Sequence, residues 1–365
     1  MPTITWQTLT RWTDQELAAF DVAAADLLCA LGLPGAETID VNRCQATLDQ
    51  WARHIHEETN RLAYLFTRHP SKYQNSKARF RMMVLATVLQ RDLGVHCDLF
   101  WNDLSDFHFF SNPDHLFVHG VVQQRRGTCS SLPVAYAAVG RRLGYPLKFV
   151  TTWRHVFLRW DEPGGEQFNV ECTSHGFVSH PDFYYLHWPR KLSEEEVRHF
   201  GALKSLTPRQ EFALHIGNRG HVFRELYNLP AAVDAYAHVC HLYPESWSWS
   251  ASLVDTMNRW ESRLRARMPP VFPPMTIHFS PRAFTNIPQD LERGVFNLYA
   301  RETLLTHPPF EEKWWKPARR DPRQLPADYR SHIKVRFPQK IGENLHFSFS
   351  ARGVSTNDVD GRQSP

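Results

Sequence analysis

The sequence predicts an α+β protein: a helical N-terminal lobe, a cysteine-bearing helix packed on a small antiparallel sheet, a C-terminal helical hairpin and an extended tail. Three observations carry this. Apolar residues recur at helix spacing from Asp14 to Leu93. A helix–strand–turn–strand order follows between Thr128 and Thr173, and helical periodicity returns after Thr207.

The elements are justified in order. Asp14 ahead of QELAAFDVAAADLLCALGL reads as the N-cap of one Ala/Leu-rich helix, closed by the glycines at 32 and 35. In RCQATLDQWARHIHEETNRLAYLF the residues Leu48, Trp51, Ile55, Leu62 and Leu65 form an apolar stripe near the 3.6 period. ARFRMMVLATVLQRDL is apolar on most sides, with Gly94 as its C-cap. From Trp101 to Gly127 the texture is loop-like, broken by Asp, Asn and Pro. TCSSLPVAYAAVGRRLGYP then reads as a helix opening at Thr128 or Cys129 and closing at Gly144, with Pro133 in or just after its first turn. LKFVTTWRHVFLRW is read as one strand and EQFNVECT as the next, joined through a Pro-Gly-Gly turn. After Thr207, two amphipathic helices flank Asn228 to Pro230, prolines thicken from Pro269, and the last residues, from Ala351 on, read as a disordered tail.

Composition narrows the function. With 42% hydrophobic and 22% charged residues the chain is globular. The balance of 42 Lys+Arg against 38 Asp+Glu does not point to a nucleic-acid binder. No run reaches a membrane span, no secretory signal opens the chain, and the cytoplasm is the expected compartment. Charge is concentrated between Glu311 and Lys340, where nine Lys/Arg face four acids around Trp314-Trp315; solvated charges on a core-wrapping extension are the expectation there. The six cysteines form no CxxC pair, and neither His54/His56 nor His238/His241 has a third ligand, so no metal and no cofactor is expected.

One cysteine differs from the rest. Cys129 follows Arg125, Arg126 and Gly127 at a helix start, where unpaired N–H groups and nearby arginines favour a thiolate. Cys29 and Cys240 lie on apolar helix faces, and Cys172 points away from Glu171 toward the core. A nucleophile needs a base and the base an orienting group. His155 and Glu171 come together if their strands pair antiparallel, and Asn169 shares the face of Glu171 as an alternative third member. The Cys129 N–H, with Gln123 or Gln124, could supply an oxyanion site. Trp153, Arg126 and His175 are pocket candidates, with His180 near the last.

The block RRGTCSSLPVAYAAVGRRLGYPLKFVTTWRHVFLRWDEPGGEQFNVECTSHGF resembles the transglutaminase-like superfamily, closest to its bacterial SirB1-like branch. The resemblance implies a papain/transglutaminase-like core in which Cys129 matches the nucleophile, His155 the base and Glu171 the third member, a position where many members carry Asp. SirB1-like proteins often lack that cysteine, which this chain retains. The segment from Thr207 also resembles a single tetratricopeptide helix hairpin, expected to pack on the main core.

The expected organisation is a transglutaminase-like domain over 1–195 (helical lobe about 10–100, catalytic core about 101–190), a tetratricopeptide-like region over 205–268, a Pro-rich basic extension over 269–350 and a tail over 351–365. The expected activity is a cysteine acyl-transferase or amide hydrolase acting on a protein or peptide amide. The alternative is a non-catalytic scaffold that holds a protein partner through 207–245 or 311–340.

Overall fold

The structure is a computed structural model that describes residues 4–98 and 109–266, together with the strands Ile277–Phe279, Ile333–Arg336 and Phe347–Ala351. The helical lobe comprises α1 (Asp14–Ala19), α2 (Val22–Ala30), α3 (Val41–Arg68) and α4 (Lys77–Thr87). The single helix expected from Asp14 is two. Thr13 and Glu16 form a capping box on α1, Phe20 is extended, and the Asp21 carboxylate accepts the Ala24 N–H to start α2. Two good N-caps eight residues apart outweigh the continuous apolar pattern. Along α3 the stripe Leu48, Trp51 and Ile55 is buried, while Leu62 and Leu65 are half-buried. A π-helical turn, Val88–Asp92, continues α4, and Gly94 takes φ +72 just behind it, as the end of a helix favours.

Within the span read as loop-like, α5 (Val118–Gln124) is helical, preceded by a short turn of helix at Pro113–Leu116 that Asn112 caps. Gly120 permits their close approach, because a Cβ there would strike the backbone carbonyl of Asp114. Next comes α6 (Leu132–Arg142), buried from Leu132 to Gly140, with Pro133 in its first turn and Gly144 at φ +75 behind it.

The run expected as one strand is a hairpin of β1 (Leu147–Thr152) and β2 (His155–Asp161), turning at Trp153-Arg154 where Arg154 takes φ +54. Apolar periodicity does not register a two-residue turn built from Trp and Arg. The Pro-Gly-Gly turn joins β2 to β3 (Gln167–Val170), and the sheet is antiparallel in the order β1-β2-β3. Leu158 faces Val170 and Arg159 faces Asn169.

Helices α7 (Asp182–His187), α8 (Glu194–Phe200), α9 (Pro208–Glu225), α10 (Leu229–Leu242) and α11 (Trp247–Ala266) complete the main body. Thr207 and Gln210 form a capping box on α9, and Asn228 caps α10. One hydrophobic cluster runs from Trp6 through α6 and the sheet to Met257, so the C-terminal helices share the core of the N-terminal lobe. Beyond them, β4 (Ile277–Phe279), β5 (Ile333–Arg336) and β6 (Phe347–Ala351) pair antiparallel with β6 in the middle. Of the basic segment 311–340, only β5 lies within the described residues; Trp314-Trp315, the prolines from Pro269 and the tail beyond Ala351 lie outside them. Among the described residues no helix is long and apolar enough to cross a membrane.

Candidate active site

The regular part of α6 begins three residues later than expected, and Cys129 lies in the turn leading into it. Hydroxyls shape that turn. Thr128 Oγ1 accepts the Ser130 N–H at 3.1 Å and donates to the His115 carbonyl at 2.6 Å, while Ser131 Oγ accepts the Thr128 N–H at 3.1 Å. The Leu132 N–H reaches the Thr128 carbonyl at 3.0 Å, which continues the helical path back through Cys129. Gly127 is required just before it: a Cβ would come within 2.8 Å of both Leu132 and Val121. Buried Leu132, Val134 and Val139 of α6, at roughly 1.5–3 kcal/mol each, hold the turn against the sheet.

His155 is the first residue of β2 and Glu171 directly follows β3, where it bridges to Val178. Extending the register puts Glu171 beside Phe157, one pleat from His155 on the same face. The contact is made: His155 Nε2 lies 2.9 Å from Glu171 Oε2. The Cys129 side chain is the other hydrogen-bond partner of the imidazole. All three residues are buried. Burial alone would lower the His155 pKa, but its bonds to Cys129 and Glu171 push it up to about 9. Burial would raise the Glu171 carboxyl; the bond and charge of His155 and two bonds from Thr173 bring it down to about 2.

Such a unit can keep a proton on imidazole beside a thiol, the arrangement acyl transfer needs. Residues 42–195, which contain Cys129, His155 and Glu171, match the family model of the transglutaminase-like superfamily. They form a transglutaminase-like domain. No curated protein and no solved structure matches the chain.

Within this transglutaminase-like domain the other residues singled out in the sequence have partners or positions of their own. Asn169 is not the partner of His155: its Oδ1 accepts from Arg159 Nε at 2.7 Å and its amide donates to Asp182 and the His180 carbonyl. Extension beyond the ladder, which puts Glu171 one pleat nearer to His155, decides between them. Gln124 donates its amide to Asp114 at 2.6 Å and Gln123 is exposed, so the end of α5 directs neither at the thiol. Arg125 lies over the Trp51 ring at 4.5 Å, and exposed Arg126 reaches Asp98 at 3.4 Å; the cation bonded to Cys129 is His155. Trp153 is half-buried at the hairpin turn under Arg190, whose guanidinium is 4.0 Å from the ring centre, and His175 is exposed in the loop after β3. Among the described residues no three His, Cys, Asp or Glu side chains are grouped to hold a metal ion.

Four residues escaped sequence reasoning. Thr173 donates its backbone N–H and its hydroxyl to Glu171 Oε1 at 3.0 and 2.6 Å, and Tyr185 donates its phenol to Oε2 at 2.9 Å. Gln90 ties the following loop to the helical lobe, donating to the Ser174 carbonyl at 2.9 Å and accepting the Gly176 N–H at 2.7 Å. Cys97 pairs with Gly127 in a short parallel bridge; burial, then the charges of Cys129, Glu171 and Asp98, push its thiol up to about 12. Of these, only Thr173, two residues after an acid in a turn, carries a local signal.

Proposed function

We propose that this chain is a cysteine-dependent acyl transferase or amide hydrolase working through a thioester on Cys129. One observation supports the reading above the others: the buried His155 imidazole bonds Glu171 on one side and Cys129 on the other. The Cys129 thiolate attacks the carbonyl carbon of a protein or peptide amide, forming the C–S bond. As the C–N bond breaks, the His155 imidazolium gives its proton to the departing amine. Neutral His155 then takes a proton from water or an acceptor amine, which attacks the thioester and releases the acyl group. The thiolate–imidazolium pair is thereby restored. Glu171 holds the ring and stabilises its charge, and no cofactor enters the cycle.

Thiol labelling tests the reading. Burial raises Cys29 and Cys172 well above the ordinary thiol range and Cys97 to about 12, so iodoacetamide at neutral pH is expected to label Cys129 first. His155→Ala should slow that labelling by about a hundredfold, within the usual range for a positioned base. Equal labelling of several cysteines, or no effect of His155→Ala, would leave the non-catalytic scaffold as the better account. A Cys129→Ala chain used as a trap, followed by mass spectrometry of what co-purifies, would then identify the substrate.

A further inference from the structure

The His155 side of the site reaches the surface through aromatic rings. His155 itself is buried, yet the Trp188 indole meets its ring edge-on at 4.7 Å and is 37% exposed. Tyr184 lies 5.6 Å from Trp188 and is stacked on His180 at 3.9 Å. Phe183, the residue before Tyr184, packs instead on His187 at 4.4 Å and is 69% exposed. Trp188 thus stands open to solvent against the reacting histidine.

The segment that carries these rings is anchored. Asp182 accepts from Arg159 at 2.5 Å and from Asn169 at 2.7 Å, while buried Tyr185 bonds Glu171 and stacks on Phe157 at 3.8 Å. The one carboxylate of α7 is held by these two bonds although its side chain is half exposed, and the exposed large hydrophobic side chains of the segment, Phe183 and Trp188, are both aromatic. A rigid aromatic surface gains most from another ring, in the offset or edge-to-face arrangements its own members show.

Chemistry assigns the half of the substrate that meets this surface. His155 delivers its proton to the departing nitrogen, so the amine half of the scissile amide lies on the His155 side. Resting on the proposed thioester mechanism, we propose that Trp188, with Tyr184, forms a leaving-group subsite for an aromatic group borne on the amine half of the amide that Cys129 attacks.

N-substituted iodoacetamides test this with the full chain, because their amide substituent mimics the amine half. Rates of Cys129 alkylation by iodoacetamide, N-benzyliodoacetamide and N-(cyclohexylmethyl)iodoacetamide are each divided by the reagent's rate with glutathione. The benzyl reagent should exceed iodoacetamide by about fivefold, with the cyclohexyl reagent in between. Trp188→Ala should bring that ratio to about one and Trp188→Phe should keep most of it. Phe183→Ala, an exposed change outside the subsite, should leave both the ratio and the iodoacetamide rate unchanged.

A ring that merely covers the His155–Glu171 bond would change the iodoacetamide rate and its pH profile in Trp188→Ala but leave the ratio alone. That outcome overturns the subsite, as does a wild-type ratio of one with Cys129 still labelled selectively. Failure of iodoacetamide to prefer Cys129 would instead overturn the thioester mechanism and the subsite with it.

Discussion

At the scale of single residues, the site is a balance between burial and bonding. His155 and Glu171 are both buried, which opposes charge on each, and their mutual bond overrides it. Two pH predictions follow from the directions. His155, raised to about 9, adds stability that is whole below about pH 6.5 and is lost as pH rises through about 9. Glu171, lowered to about 2, adds stability that is whole above about pH 4.5 and is lost as pH falls through about 2. The pair therefore contributes fully between about pH 4.5 and 6.5. Thermal melts of Glu171→Gln should show their largest deficit against wild type near pH 5.5 and a smaller one at pH 9.5; an equal deficit at both would refute the coupling. Titration of the His155 ring by NMR should give a value near 9 in wild type and a fall toward or below 6.5 in Glu171→Gln, where burial is opposed only by Cys129. The meeting of Cys129, His155 and Glu171 was legible in the sequence through the expected helix start, strand alternation and the family resemblance. Tyr185 and Gln90 were not, since each reaches the site from a distant element through a side chain that no periodicity marks.

At the scale of elements, the places where expectation and structure part have physical causes in named residues. Thr13 and Asp21 divide one Ala-rich run into α1 and α2, and Arg154 at φ +54 divides one apolar run into β1 and β2. The second division matters for the site, because it makes His155 the first residue of a central strand instead of the middle of an edge strand. Helix α7 is locked to that strand by Arg159, which is buried and also donates to the Leu203 carbonyl at 3.1 Å. Arg159→Ala should cost about 1–3 kcal/mol, since it leaves Asn169 and Asp182 short of a charged donor. It should also slow Cys129 labelling through loss of the Tyr185 support; a variant with wild-type melting and labelling would remove α7 from the account. The α5 contact gives a cleaner steric test. Gly120→Ala puts a Cβ against the Asp114 backbone, which cannot give as a side chain can, and should destabilise by about 1–3 kcal/mol in chemical denaturation.

At the scale of the whole molecule, residues read from sequence as two units, 1–195 and 205–268, share one core. Glu211 on α9 accepts from Arg141 of α6 at 2.7 Å and from the Phe149 N–H of β1 at 3.3 Å. Asn218 donates to the Leu116 carbonyl at 3.1 Å, and Arg219 donates to the carbonyls of Cys29 and Leu31 at 2.8 and 2.7 Å. Such bonds between residues far apart in sequence were invisible to a reading that follows the chain. They predict one cooperative transition: probes on α11 and on the helical lobe should unfold at the same denaturant concentration, and two separated midpoints would contradict a shared core. The transglutaminase-like domain is thus held as part of a larger body, with Cys129 and His155 buried within it. The most direct measurement of what that pair does is intact-mass analysis after exposure to p-nitrophenyl acetate. The thioester account predicts a single acetyl group, mapped to Cys129, released by hydroxylamine and absent from His155→Ala under the same conditions. Acetylation scattered over other residues, or a Cys129 adduct formed equally fast without His155, would contradict it.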